Sequence, residues 1–438
     1  MVKLREMSFL TPNEKGIMGT NDAASIQNAI NAAAENGVNK VVIPRYNKRT
    51  DSHVWTIGAT LLVPDNMMLV LDNCRLELAE SFAGVMIANS NGETEDGKLI
   101  AGEQTNIRIQ GKGEAELCGN GEILNLHNVR NFTVEGFRVT GSAGNAVALM
   151  YCSYGKVCNI DFAGDSAAEN QNGIVLRSGC HDVTVENITG VVGGDLITLI
   201  AEAGPQLELA AHVMGLVVDV RNIIVKNIKA TCNGNLVKLF NQDGRMLYNI
   251  LIESVEDTSA DYSENRPFSA VMIGDLNAVP NERAALPGET KTITVRNLFT
   301  RARYGVAICG ALTNTLLESI HIHGDGEYAV ATIGEETTKL ASLLCKGIYY
   351  TVEQRSGEET LAAADYTGAV VSFENCEGER ICVQDVFVST ATCFVKASGE
   401  VTIDMNCAKA DALGVAPVCA DDKAKVTAKN VTVKEEQK

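Results

Sequence analysis

The chain has 438 residues, of which 45% are hydrophobic and 5% are aromatic, and its formal net charge is −18 at pH 7. The negative charge argues against nucleic acid and anionic membrane surfaces as partners, because both carry charge of the same sign. No run of residues approaches the roughly 20 apolar positions of a membrane-spanning helix, so the sequence predicts no membrane partner.

Two features bear on the compartment. The first 20 residues contain no apolar core of a secretory signal. The thirteen cysteines are odd in number and form no C-x-x-C pairs, which are typical of zinc sites. Cys152, Cys158, Cys232 and Cys345 lie in strand-like runs, where small thiols fill a core. We expect free thiols and a cytoplasmic location.

The N-terminal segment, residues 1–45, predicts a capping helix. Asn21 or Asp22 can act as the N-cap of a helix over residues 23–35, and Gly37 ends it. The strand Lys40–Pro44 follows. Such a helix would cover the open first coil of a repeat protein, whose backbone and apolar interior would otherwise invite another chain to stack.

A four-residue pattern recurs along most of the remaining chain. Its first and fourth residues are hydrophobic, its second residue varies, and its third is usually Asn, Ser or Gly. It occurs at 134–137, 157–160, 185–188, 225–228, 252–255, 295–298, 317–320, 383–386 and 428–431. Short β-branched runs of alternating polarity surround it, which is typical of strands. Self-similarity at a fixed period indicates a solenoid. We predict an all-β fold, a single-stranded right-handed parallel β-helix with coils of roughly 25 residues, over residues 46–433.

The spacing between occurrences of the pattern varies. Steps of roughly 22–28 residues correspond to one coil, and steps of about 40 or more are interpreted as one coil plus a surface loop. We place loop insertions near residues 89–102, 202–211, 256–290 and 355–366, and a charged tail at residues 434–438. Because no linker separates domains, we predict one continuous domain with a cap.

Polar residues cluster at matching places on successive coils in the middle of the chain, at 170–174, 193–199 and 235–239. One coil rises about 4.8 Å above the last. Equivalent side chains one or two coils apart are therefore about 5–10 Å apart, the range of two carboxyl groups that flank a glycosidic bond. A cation one coil further along would hold a substrate anion or hydroxyl.

At these residues the chain resembles glycoside hydrolase family 28, the polygalacturonase-like enzymes. Residues 170–174 stand at the family's Asn-Thr-Asp-Gly-Ile motif, residues 193–199 at its Gly-Asp-Asp motif, and residues 236–238 at its basic position. The opening at residues 22–30, before the strand at 41–44, also fits. The resemblance covers most of the chain as fold, and about 75 residues as site.

The resemblance implies that Asp195 is the general acid and that Lys238 binds substrate. The family's other two aspartates fall on Asn172 and Gly194, so the usual activation of water is missing. We expect a loop acid to act as the base instead, and the candidates are Asp165, Glu169, Glu202 and Asp243.

Further substrate contacts are expected from polar and cationic side chains of the same region, namely Asn172, Arg177, His212 and Arg245. Arginine binds carboxylates through two parallel N–H bonds. His212 is the nearest candidate for the family's Gly-His-Gly histidine. Other interpretations stay open: Asp195 as a turn residue that bonds its own backbone, Asn172 as a rung of an asparagine ladder, and Lys238 as a solvated lysine.

The predicted function is hydrolysis of glycosidic bonds in an imported oligosaccharide, with uronate-containing ones among the candidates. No cofactor or metal is expected, since His321 and His323 on one strand face lack matching ligands. The first alternative is a polysaccharide lyase or epimerase, with Lys238 or an arginine abstracting the proton beside a uronate carboxylate. The second is a catalytically silent carbohydrate-binding or assembly protein. The sugar, the linkage and the oligomeric state, a homo-oligomer included, stay open.

Overall fold

The computed structural model describes residues 8–91, 100, 102–202, 204–261, 263–274, 283–353, 355–356, 359–360, 368–389, 391–411 and 415–434. The fold is an all-β, right-handed parallel β-helix, as predicted. The chain divides into two compact units. Unit 1 comprises Met1–Gly194 and Ala203–Val218, and unit 2 comprises Asp195–Glu202 and Asp219–Lys438. Within the described ranges no helix is long and apolar enough to cross a membrane.

The N-terminal helix α1 (Asp22–Asn36) follows the prediction closely. Asn21 is its N-cap, and the Asn21 side chain accepts a hydrogen bond from the backbone N–H of Ala24 at 2.8 Å. Gly37 ends the helix in the left-handed region, at φ 69°, where glycine carries no steric penalty. One face of α1 is buried, with Ile26 and Ile30 fully enclosed.

Unit 1 contains a sheet of long strands and a sheet of short strands, both parallel. Its strands are β1 (Lys40–Pro44), β2 (Val54–Ile57), β3 (Leu61–Val63), β4 (Met68–Asp72), β5 (Arg75–Leu78), β6 (Ile87–Asn89), β7 (Gln104–Lys112), β8 (Glu116–Cys118), β9 (Leu124–His127), β10 (Val129–Glu135), β11 (Arg138–Thr140), β12 (Gly144–Met150), β13 (Ser153–Ala163), β14 (Gln171–Arg177) and β15 (His181–Val192). The short-strand sheet consists of β3, β6, β9, β12 and β14.

Unit 2 repeats the same arrangement. Its strands are β16 (Ile197–Ala201), β17 (Val220–Cys232), β18 (Asn235–Asn241), β19 (Leu247–Asp257), β20 (Ser269–Ile273), β21 (Thr290–Thr300), β22 (Tyr304–Ile308), β23 (Leu312–Gly324), β24 (Tyr328–Thr332), β25 (Thr338–Val352), β26 (Arg355–Ser356), β27 (Glu359–Thr360), β28 (Val371–Phe373), β29 (Cys376–Val388), β30 (Cys393–Ala397), β31 (Val401–Ala410), β32 (Ala416–Ala420) and β33 (Lys425–Val433). The short-strand sheet here consists of β16, β18, β20, β22, β24, β28, β30 and β32, and β26 pairs with β27 in an antiparallel hairpin.

The repeated pattern marks one inward column in each unit. In unit 1, Val134 pairs with Val157, which pairs with Val185. In unit 2, Val225 pairs with Ile252. All five side chains are 0% exposed, so these positions stack inward within each unit.

The third residue of the pattern bends the long strands. Asn159, Asn187 and Asn227 all have φ of 56°, in the left-handed region that asparagine tolerates better than most residues. Between neighbouring coils the asparagine amides bond to each other, as where Asn187 Nδ2 donates to Asn159 Oδ1 at 3.0 Å. The pattern is therefore a strand–bend–strand unit in which two inward residues flank a left-handed turn.

Three of the segments interpreted as loop insertions contain regular structure, and the one near 355–366 holds the hairpin of β26 and β27. Residues 202–211 overlap the helix α2 (Pro205–Val213), which belongs to unit 1 and begins with proline in its first turn. Its Ala211 packs with Ile100, Tyr151 and Val218 in a separate apolar cluster. Residues 256–290 include the whole of strand β20. Residues 92–99 and 101 of the first insertion, most of the fourth, and the tail from 435 onward lie outside the described residues.

The cysteines expected to fill the core do so. Cys152, Cys158, Cys232 and Cys345 are buried free thiols, each 0% exposed. Burial raises the pKa of the Cys152 thiol to about 12, which keeps it in the unreactive protonated form at neutral pH.

Candidate functional site

The structure brings Asp195 and Lys238 together in unit 2. Asp195 lies two residues before β16, and Lys238 lies in the middle of β18, the next strand of the short-strand sheet, opposite Thr198. Lys238 Nζ is 3.7 Å from Asp195 Oδ2, and the two side chains are 18% and 21% exposed. A carboxylate and an ammonium group therefore share one partly open position.

Asp195 also ties one coil to the next. Its Oδ1 accepts hydrogen bonds from the backbone N–H and from Nδ2 of Asn235, both at 2.8 Å. Asn235 Oδ1 in turn accepts a bond from Ser269 Oγ at 2.6 Å. These contacts use Asp195 as an acceptor, while a general acid has to donate a proton to the leaving oxygen.

The surroundings of Lys238 are apolar. Leu236 and Phe240 lie two residues to either side on the same strand face, and Met272 is its partner on β20. They are 0%, 8% and 4% exposed. The aliphatic stem of a lysine can pack on such a surface while its ammonium group reaches solvent.

Asp243 and Arg245 lie in the turn after β18 and pair with each other. Arg245 Nη1 is 3.2 Å from Asp243 Oδ2, and Asp243 Oδ1 accepts a bond from the backbone N–H of Arg283 at 2.6 Å. Arg245 is only 6% exposed. Glu202 follows β16 and is half-buried. The local contacts of Asp243 and Arg245 show how both stabilise the turn, and their predicted roles toward a substrate stay predictions.

In unit 1, Asn172 is a rung of an asparagine ladder, where its Nδ2 donates to Asn145 Oδ1 at 3.3 Å. Its position also explains the glycine at residue 194. A Cβ atom added to Gly194 would lie 2.1 Å from Asn172 Oδ1, well inside contact distance. The amide side chain of Asn172 therefore occupies the space that the aspartate of family 28 would need at this position.

The remaining predicted residues, Asp165, Arg177 and His212, also belong to unit 1. Asp165 Oδ1 accepts a bond from the backbone N–H of Ala167 at 2.9 Å, which makes it a turn residue. Arg177 ends β14 and is exposed, and His212 lies exposed in the last turn of α2. Their roles toward a substrate stay predictions.

The histidine pair on β23 has a structural explanation. The ring of His321 is stacked between Phe299 and Tyr349, with ring centroids 4.2 Å apart on both sides. Burial lowers the pKa of His321 and of His323 below the usual value. Among the residues that the structure describes, no group of three or more His, Cys, Asp or Glu could hold a metal ion.

Sequence reasoning missed a groove in unit 1 with a cavity volume of about 680 Å³. Its lining includes Arg75, Glu116, Arg138 and Asp161, which lie side by side on β5, β8, β11 and β13. The sequence signal that could have revealed the groove is the alternating sign of the charges at equivalent positions of successive coils. Two residues after the bends at Gly136 and at position 159, the chain carries Arg138 and then Asp161.

Comparisons with solved structures agree on the fold. A family 28 exopolygalacturonase of Yersinia enterocolitica is 13% identical, over 98% of this chain and 78% of that one, with a TM-score of 0.50. The A-module of a mannuronan C-5 epimerase of Azotobacter vinelandii is 12% identical, over 98% and 100%, with a TM-score of 0.51. A mutant tailspike protein of Escherichia coli bacteriophage HK620, in complex with pentasaccharide, is 13% identical, over 97% and 80%, with a TM-score of 0.59.

At these identities the likeness is one of fold. No protein-family model matches the chain, and no curated protein does. The predicted family 28 membership therefore rests on the motifs at residues 170–174, 193–199 and 236–238, while the β-helix architecture that the family implies is present.

Proposed function

We propose that the protein binds an oligosaccharide at the Asp195–Lys238 pair. The observation that carries the proposal is the pair itself, a carboxylate and an ammonium group 3.7 Å apart and each about one-fifth exposed. Together they offer acceptors and donors to sugar hydroxyls, beside apolar surface from Phe240. The similar folds of an exopolygalacturonase, an epimerase and a pentasaccharide-bound tailspike support a carbohydrate as the partner.

Binding without hydrolysis is the form of this function that the geometry favours. The contacts of Asp195 with Asn235 and Lys238 all use its oxygens as acceptors. Asp243, one of the acids expected to activate water, is engaged by Arg245 and by the backbone of Arg283. Both carboxylates are engaged by groups of the protein, which favours a binding role.

Hydrolysis is the second candidate. It is favoured by the position of Asp195, which stands where family 28 has its general acid and keeps 21% of its side chain exposed. In this mechanism Asp195 protonates the leaving oxygen, Lys238 positions the sugar, and Glu202 or Asp243 activates water. A lyase or epimerase would instead use Lys238 to take the proton beside a uronate carboxylate.

The test measures binding and product formation on the same samples. Wild type, Asp195→Asn and Lys238→Gln are titrated with mixed oligosaccharides, and reducing ends and unsaturated uronates are assayed. For binding alone we expect about tenfold weaker affinity in both variants and no product, since each loses a hydrogen bond to a charged group. For hydrolysis, wild type releases reducing ends and Asp195→Asn loses a factor of about 10² or more.

Asp404→Asn is the matched control, because Asp404 is an exposed acid on β31 of the same unit. It should match wild type in affinity and activity. Unchanged affinity in both Asp195→Asn and Lys238→Gln, with folding intact, would contradict the proposed site. An unsaturated product that disappears in Lys238→Gln would identify a lyase.

A further inference from the structure

The groove in unit 1 has the dimensions of a ligand site. Its volume of about 680 Å³ falls within the roughly 300–1,000 Å³ of small-molecule sites. Its described lining residues include the arginines Arg45, Arg75 and Arg138. They do not include any of the candidate catalytic or binding residues discussed above.

Four cross-strand neighbours of opposite sign form one side of the groove. Arg75 is opposite Glu116, Glu116 is opposite Arg138, and Arg138 is opposite Asp161. Opposite charges on adjacent strands stabilise a sheet. The pairs within this column differ in how closely they are held.

Part of the column is used in this structural way. Arg75 Nε is 3.2 Å from Glu77 Oε2, its Nη1 is 3.1 Å from Glu116 Oε2, and its Nη2 is 3.2 Å from Cys118 Sγ. Glu116 Oε1 accepts a further bond from Thr140 Oγ1 at 2.7 Å. Arg75 and Glu116 are therefore committed to the protein.

Two other arginines are held less firmly. Arg138 is 58% exposed, and its Nε is 3.5 Å from Asp161 Oδ2, which is longer than a good hydrogen bond. Arg45 is exposed, and no hydrogen bond or ion pair engages it within the described residues. Both guanidinium groups keep N–H donors for a ligand in the groove.

The segment between β1 and β2 also lines the groove, through Arg45 and His53. Arg49 of this segment forms a 2.7 Å ion pair with Asp22, which is 1% exposed in helix α1. Asp22 Oδ2 also accepts a bond from the backbone N–H of Thr56 in β2 at 2.9 Å. These contacts anchor the segment to helix α1, and ordering before binding lowers the entropy cost of binding.

The lining residues favour a ligand that carries both carboxylates and hydroxyls. Guanidinium groups bind a carboxylate through paired N–H bonds. The carboxylate of Glu114 can accept bonds from hydroxyls. Asp161 can accept them as well, beside the bond that its Oδ1 accepts from Thr189 Oγ1 at 2.7 Å. The three arginines of the lining are balanced by Glu114, Glu116 and Asp161. Since the whole chain carries a net charge of −18, an anionic ligand is repelled less in this groove than over the surface as a whole.

We propose that this groove is a saccharide-binding site for an acidic oligosaccharide, with Arg45 and Arg138 on the carboxylates of the sugar and Glu114 and Asp161 on its hydroxyls. The proposal rests on the proposed carbohydrate function but assigns a separate site to it.

The test titrates the full chain with trigalacturonic acid and with the neutral trisaccharide of galactose, by calorimetry at low salt. We expect the acidic sugar to bind, and the double variant Arg45→Gln/Arg138→Gln to weaken binding by a factor of about 10–100, because charge-assisted hydrogen bonds are lost. Added salt should weaken wild-type binding, since the two arginines are exposed. Arg108→Gln is the control, an exposed arginine of β7 outside the groove.

The outcomes separate this site from the Asp195–Lys238 pair. Trigalacturonic acid that binds wild type and the double variant equally overturns the groove proposal. Loss of binding in Lys238→Gln, with the double variant unaffected, overturns it too and supports the first site. Binding of the neutral sugar alone overturns the groove proposal and leaves the carbohydrate function standing. A lower melting temperature without a change in affinity would assign Arg138 to the structural ladder.

Discussion

His127, the last residue of β9, should make the fold sensitive to acid. The side chain is 7% exposed and its ring stacks on Tyr151, with centroids 6.2 Å apart. Its Nε2 has no hydrogen-bond partner in the described part of the chain. Burial lowers the pKa of His127 from 6.5 to about 4, since an imidazolium would lose its hydration without gaining a partner.

The sign of the effect follows from proton linkage. The unfolded chain takes up a proton on this histidine below about pH 6.5, and the folded chain does so only near pH 4. The contribution is therefore fully present above pH 6.5 and is lost as the pH falls toward 4. Each unit of pKa difference is worth about 1.36 kcal/mol. Between about pH 7.5 and pH 4.5 the free energy of unfolding should fall by about 2.5 kcal/mol from this group alone.

Urea unfolding of wild type and His127→Phe at both pH values measures this contribution. Phenylalanine keeps the stack on Tyr151 and cannot titrate, so the difference in stability between the two proteins should change by about 2.5 kcal/mol across the range. Carboxylates that titrate in the same range cancel in this difference. Phe132→Leu, at a site 2% exposed, is the control and should lower stability equally at both pH values. A wild-type minus His127→Phe difference that does not change with pH would refute the reasoning.

Two further changes test the fold by thermal unfolding. Val225→Asp should prevent folding, because Val225 is 0% exposed and an unpaired buried charge costs several kcal/mol. The control Ile224→Asp, at a neighbouring position that is 37% exposed, should fold. Equal behaviour of the two variants would contradict the inward column. Gly194→Asp should lower stability by about 1–3 kcal/mol through overpacking against Asn172, whereas Gly204→Asp, where an added Cβ meets nothing within 4 Å, should not; a stable Gly194→Asp protein would show that the family's aspartate is tolerated here.

The fold could be predicted because each coil repeats one local solution. Asn187 and Asn227 both occupy the left-handed bend, and the residues beside them, Val185 and Val225, are both buried. Helix α1 could also be predicted, because its N-cap Asn21 and its terminating Gly37 act through residues that are close in sequence. Such features depend on a few adjacent residues and need no knowledge of distant ones.

The candidate sites depend on distant residues. The bond from Asn235 to Asp195 joins positions 40 residues apart in the chain, across the segment that contains helix α2. Motif similarity identified Asp195 and Lys238 as neighbours in function, but it could not show that Asn235 engages the same carboxylate. The unit 1 groove was harder still to predict, since its lining residues Arg45 and Arg138 approach each other only when the coils are stacked.

In a parallel β-helix the inward positions therefore carry information about the fold, and the outward positions carry information about function. Inward positions are constrained by the column, so that Val225, Ile252, Val295 and Leu317 follow each other with little change in character. Outward positions in equal register are free to differ, and one such row passes from Glu256 through Phe299, His321, Tyr349 and Phe387 to Lys409. The period of the sequence determines which residues share an outward row, but it does not determine their chemistry. We therefore look for function where outward charges are used little by the protein itself. Arg45 meets that condition, and Arg138, whose ion pair with Asp161 is 3.5 Å long, meets it more fully than Asp195 does.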